Sequence, residues 1–221
     1  MFRVMVLCLA AWAVPLAWAS PDVLLPPGAS VDDSTPAQLS AEWWQWALSA
    51  EREFNPVSDL TGTHCAVGQS GAVWFLAGGF GPSKIRRTCA VPSGKSLFFP
   101  VINMMYRPAR GYAPMSCDET KAAAAVNNEN AIDLFAEIDG VPVPDVQRYR
   151  VATPSCFDVY ARIPEAQRRV NGFPSASDGY WLLLRPLDKG THVIKFGGKY
   201  NRNSDAYGRM IQDIEYELLV E

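Results

Sequence analysis

The chain has 221 residues, of which 48% are apolar, and 20 basic side chains face 23 acidic ones for a formal net charge of −3. An apolar share of that size, with both charge signs mixed, suffices for a packed core. A slightly acidic chain argues against nucleic acid and anionic membranes as partners, and its Arg86-Arg87 and Arg168-Arg169 pairs read as solvated strand or loop positions.

In chain order, the first element is a signal segment. Arg3 is the only charge before an apolar run, 4–16, that ends in Ala17-Trp18-Ala19. A short positive region, an apolar core and an A-x-A site form the pattern read by signal peptidase. The run falls short of the roughly 20 apolar residues a membrane span needs, and no later stretch is long and apolar enough to cross. Cys8 lacks the small residues that precede a lipidated cysteine. Residues 1–19 are therefore expected to be cleaved, leaving a periplasmic or secreted chain that begins at Ser20 and is one charge more negative. A leader over 20–34, rich in Pro and Gly, precedes a single domain expected over 35–221.

A first helix is predicted from Thr35. Thr35 and Gln38 have capping-box spacing, and Pro36 stands where its missing N–H costs nothing. Leu39, Trp43, Trp46, Ala47, Ala50 and Phe54 form one apolar stripe, and Asn55-Pro56 ends it. Residues 72–76, 86–91 and 96–102 are strand candidates. A second helix starts at Ser116, which has S-x-x-E spacing to Glu119, and runs through the 122–125 alanine tract. Residues 133–138 and 141–143, joined by Asp139-Gly140, read as a hairpin.

Residues 180–184 and 191–196 read as two strands joined by a short connection. Ile214, Tyr216, Leu218 and Val220 mark the inward face of a half-buried last strand. The chain is thus expected to be mainly β: an immunoglobulin-like or jelly-roll-type antiparallel sandwich with an N-terminal helix and one further helix.

Four cysteines follow the signal segment: Cys65, Cys89, Cys117 and Cys156. An even number in an exported chain points to disulfides, with three possible pairings. Cys65–Cys89 and Cys117–Cys156 are the expected pairs, because each closes a loop within one half of the chain. None of the cysteines has the close C-x(2–4)-C spacing of structural zinc, and the sequence calls for no metal and no cofactor.

Three segments carry a resemblance. Glu42-Trp43-Trp44-Gln45-Trp46, the run 68–78 with its Gly-x-x-Gly-x-Val-Trp-Phe-Leu-Ala-Gly pattern, and Gly94-Lys95-Ser96-Leu97-Phe98-Phe99-Pro100 resemble a group of uncharacterised exported bacterial proteins. The likeness extends through Asp178-Gly179-Tyr180-Trp181 and Gly190-Thr191-His192. It implies export and a single domain, and it attaches no activity.

Catalytic signatures are weak. Gly94-Lys95-Ser96 lacks the upstream glycine of a phosphate-binding loop, whose place is taken by Cys89. Asn201, Asn203 and Asp205 alternate like the start of a calcium loop, but the twelfth position is Gln212 and not Glu. His64 and His192 are the only histidines; His64 falls in a loop, while His192 shares strand parity with Ile194 and Phe196 and so faces inward. Trp44 stands about 100° around the helix from the stripe, and Trp181 is opposite in parity to Tyr180 and Leu182.

Large aromatic rings on a sandwich surface suit sugar faces or partner proteins. The expected function is an exported binding or envelope-associated protein that recognises a glycan or protein through Trp44, Trp181 and His64. The alternative is a secreted hydrolase with acid and base drawn from Glu42, His64, Asp178 or His192.

Overall fold

The computed structural model describes residues 21–80, 83–109, 111, 113–200 and 210–221. The expected signal segment and the Asn201–Asp205 loop lie outside the described residues.

Helix α1 spans Pro36–Ala47. Its predicted cap is present: Thr35 Oγ1 accepts from Gln38 N at 3.3 Å, and Gln38 Oε1 accepts from Thr35 N at 2.9 Å. The helix ends earlier than its apolar stripe suggests. Asn55 Nδ2 donates to the Ala47 carbonyl at 2.7 Å, so a returning loop satisfies the terminal carbonyl in place of another turn. Phe54 leaves the stripe and is 47% exposed in a short 3-10 turn. Helix α2, Cys117–Glu129, carries the predicted Ser116/Glu119 box.

Among the described residues nine strands form two sheets. The first has the order β1 (Val73–Phe75), β3 (Ser96–Tyr106), β7 (Ala176–Leu184), β6 (Arg150–Ala152). The second has the order β2 (Ser83–Val91), β9 (Ile211–Val220), β8 (Gly190–Tyr200), β4 (Ala131–Ile138), β5 (Val141–Pro142). The β4–β5 turn is the Asp139-Gly140 pair, both at positive φ as a tight primed turn requires.

The sheets are mixed and not purely antiparallel. β1 runs parallel to β3, and β2 runs parallel to β9. The chain passes back and forth between sheets, so a strand such as β2 separates β1 from its neighbour and permits the parallel match.

The molecule is layered as helix, sheet, sheet. Leu97, Phe99, Leu182, Ile194, Phe196 and Leu218 fill the space between the sheets. Leu39, Trp43, Trp46, Phe75, Phe98 and Trp181 fill a second core between α1 and the four-stranded sheet. Strand β7 is therefore buried along its whole length, which explains the unbroken apolar run at 180–184. Strand β9 has one solvated face and keeps its alternation. On that outer face Lys84–Asp213 and Arg86–Glu215 pair across strands.

Both disulfides form as expected, Cys65–Cys89 and Cys117–Cys156. The leader is not loose: Leu25 N donates to Leu183 O and Arg185 N to Val23 O, both at 2.8–2.9 Å, and Leu24 enters the core.

Candidate ligand-binding site

The expected aromatic surface is not formed. Trp181 is 2% exposed, stacked on Phe98 with centroids 5.1 Å apart and edge-on to Trp43 at 5.5 Å. Both faces of β7 are covered, so opposite parity to Tyr180 moves Trp181 from one core to the other and never to solvent. Trp44 is half-buried, packs on the same core, and donates from Nε1 to Ser177 Oγ at 3.1 Å.

The four acid–base candidates have separate surroundings. His64 lies in its predicted loop with its ring edge-on to Phe54 at 5.6 Å. Asp178 is 4% exposed and forked by Arg150, Nε to Oδ1 and Nη2 to Oδ2 both at 3.0 Å. Burial pushes its carboxyl above the usual range against the pull of Arg150. Glu42 lies on α1, where its charge is felt by Arg162. His192 has the parity of Ile194 and Phe196, but sits near the start of β8 with its side chain 17% exposed. Its Nδ1 meets Asp139 Oδ2 at 2.7 Å and its Nε2 the Asp188 carbonyl at 2.9 Å. No hydrogen bond or ion pair joins any two of the four among the described residues.

The register of the central sheet builds a different site. Tyr106 stands opposite Ala176, so the segment leaving β3 at Arg107 runs beside the segment entering β7 at Phe173–Ser175. The chain from 157 to 175 closes on itself through paired hydrogen bonds between Phe157 and Ser175, each 2.9 Å. Inside this loop Asp158 organises both walls. Its Oδ1 accepts from Tyr160 N at 2.9 Å, its Oδ2 accepts from Arg168 Nη1 at 2.7 Å, and its carbonyl accepts from Gln45 Nε2 of α1 at 2.9 Å. Arg168 Nε also holds the Ile163 carbonyl at 2.7 Å. Arg168 is thus a structural clasp rather than a solvated position.

Two adjoining hollows result. One, about 390 Å³, is lined by Arg107, Pro108, Arg169, Asn171 and Phe173. The other, about 360 Å³, is lined by Tyr160, Ile163, Gln167 and Arg169. They share Arg169 and Val170, and the Arg107 guanidinium lies over the Tyr160 ring at 5.7 Å. Phe173 is 52% exposed, a ring offered to solvent. Each hollow is within the size range of small-ligand sites.

A third hollow of about 640 Å³ lies between Val57–Leu60 and Phe80, with Arg52 and Glu53 on its rim. It is larger but poorer in chemistry, since its two charges offset each other and its only other polar side chain is Ser58. Its walls are held from beneath by Arg87, which is 2% exposed. Arg87 donates to the carbonyls of Asp59 (2.8 Å), Ala77 (2.7 Å) and Gly78 (2.9 Å) and to Tyr216 Oη (2.9 Å). Its expected solvated position is thus corrected: parity puts Arg86 outward and Arg87 against Tyr216. Nearby, burial would raise the Asp59 carboxyl, but N–H groups of His64 and Thr61 and the Arg87 charge hold it below its usual value.

Neither the Asp158 clasp nor the paired hollows announce themselves in sequence. The signals available were Asp158 two residues before Tyr160, an Asx-turn spacing, and Asn171-Gly172 before Phe173-Pro174. Among the described residues no group of three or more His, Cys, Asp and Glu is arranged to hold a metal, and no helix is long and apolar enough to cross a membrane. Compared with family models, with curated proteins and with solved structures, the chain matches none of them.

Proposed function

We propose that this chain is an exported binding protein that recognises a glycan in the paired hollows between Arg107 and the 160–173 segment. The observation that carries the reading is the lining itself. Tyr160 and Phe173 supply rings against which the apolar C–H face of a sugar packs, while Asn171, Gln167 and the guanidiniums supply polar groups for its hydroxyls. The walls are fixed in advance by the Asp158–Arg168 clasp, so little ordering is lost on binding. The aromatic surface of this reading is therefore Tyr160 and Phe173, in place of Trp44 and Trp181.

Export belongs to the same proposal. It is supported by the Arg3 to Ala19 pattern, the two disulfides and the resemblance of the Trp43 and Trp74 segments to exported proteins. An immunoglobulin-like type for the sandwich is part of it too, supported by repeated crossings between two face-packed sheets.

The test is a panel of immobilised glycans probed with the chain from Ser20 onward and with Phe173→Ala and Tyr160→Ala. A ligand whose affinity falls about tenfold or more in both variants, at unchanged melting temperature, supports the reading. A ligand bound equally well by all three proteins overturns it.

A further inference from the structure

Arg107 and Arg169 line the same hollow, and neither meets a carboxylate among the described residues. Among the described residues Arg107 reaches the Pro108 carbonyl, at 3.2 Å, and the Tyr160 ring. The arginines around them are engaged. Arg168 is paired with Asp158 at 2.7 Å, and Arg150 with Asp178. Arg162 spans the Gly68 carbonyl and the Phe75 ring. Of the loop's two acidic side chains, Asp158 is spent on Arg168 and Tyr160 N, and Glu165 is not among the residues that line either hollow. The site therefore concentrates positive charge in a chain whose formal net charge is −3.

Guanidinium is a planar fork that matches a carboxylate with two parallel N–H···O contacts, and it is weakly hydrated. The hydroxyls of a neutral sugar take single N–H groups from these forks and leave their charge without a counter-charge. A carboxylate at the edge of a sugar ring engages them while the ring face stays on Phe173 or Tyr160. Phe173 holds its place because its N–H donates to Asn171 Oδ1 at 3.0 Å. Arg107 is half-buried and braced on Tyr160, so it presents its fork with less rotamer freedom than a free surface arginine.

Resting on the glycan reading, we infer that the ligand is an acidic oligosaccharide, a uronic-acid type chain. Arg107 and Arg169 bind its carboxylates, and the two adjoining hollows take neighbouring residues of the chain. The attraction is partly exposed to solvent, so binding weakens as salt is raised.

The experiment is titration calorimetry with trigalacturonate, trimannuronate and the carboxyl-reduced counterpart of each, on the wild-type chain and on Arg107→Gln and Arg169→Gln. Melting temperatures are measured alongside to show that each variant folds. The expected result is acidic probes bound about tenfold or more tighter than the reduced ones, with each Gln variant losing about tenfold on the acidic probes alone. Equal binding of acidic and reduced probes, unmoved by either variant, overturns the anion inference and leaves the glycan reading standing. Binding of no probe by a folded wild-type chain overturns both.

Discussion

Phe98 and Trp181 lie face to face on neighbouring strands, ring planes 4° apart and centroids separated by 5.1 Å, beneath Trp43 of α1. This contact makes Trp181 the keystone of the helix–sheet core and removes it from solvent. Trp181→Ala is expected to cost about 3–5 kcal/mol, the range for emptying a buried aromatic site. Trp181→Phe is expected to cost markedly less, because the indole N–H has no acceptor among the described residues and its removal relieves a desolvated donor. Urea denaturation of both variants checks the order; a Phe variant as unstable as the Ala variant contradicts it.

Arg87 is a buried cation satisfied by four carbonyls, those of Val57, Asp59, Ala77 and Gly78, and a phenol rather than by a carboxylate. Arg87→Met is expected to cost about 3–5 kcal/mol, since it strands the carbonyls that Arg87 now holds. Arg87→Lys is also expected to destabilise, because one ammonium has neither the reach nor the planar fork to serve both the 57–59 and 77–78 segments. Both are read by equilibrium unfolding. A Lys variant as stable as wild type would show that charge, and not the fork, is what the site needs.

The parts of the fold legible in sequence were those set by local chemistry. Thr35, Ser116 and Asp139-Gly140 carry their own hydrogen-bonding instructions, and all three act where their spacing places them. The last strand alternates because one of its faces meets water. What sequence withheld depends on the third layer. Nothing local says that α1 covers the outer face of the central sheet, and that cover alone turns Trp181 and Trp44 inward. The site was hidden for a similar reason. Arg107 and Phe173 are far apart in sequence, and only the Tyr106–Ala176 register brings them to one hollow. Arg87 is the same kind of case: a charged residue beside another charged residue looks solvated until the strand's parity is known.

His192 has an acceptor at each ring nitrogen, the Asp139 carboxylate and the Asp188 carbonyl. A neutral imidazole donates only once, so both contacts call for the imidazolium. Burial alone would lower its pKa, but the Asp139 and Asp188 hydrogen bonds and charges raise it above the usual value. A raised folded pKa makes this stabilisation complete below about pH 6.5 and lost as pH climbs through the folded value. His192→Gln is therefore expected to be less stable than wild type near about pH 5.5, with the gap narrowing toward about pH 9. Urea midpoints at several pH values check this. A gap that widens with pH contradicts the assignment.

Gly172 tests how the paired hollows are held open. A Cβ at this position would overlap Asp158 Oδ1 and lie 2.9 Å from the backbone nitrogen of Tyr160. Asp158 cannot yield without releasing Arg168 and Tyr160 N, the contacts that fix both walls. Gly172→Ala is thus expected to destabilise by about 1–3 kcal/mol, the usual cost of overpacking, and to speed amide exchange at Tyr160. Asp158→Ala removes the clasp and the obstacle together. If the clash is the cause, Gly172→Ala adds little in an Asp158→Ala background, and the double variant is more stable than the sum of the single losses predicts. Strict additivity would mean that the alanine is resisted by the Tyr160 backbone alone and that Asp158 does not set the shape of the groove.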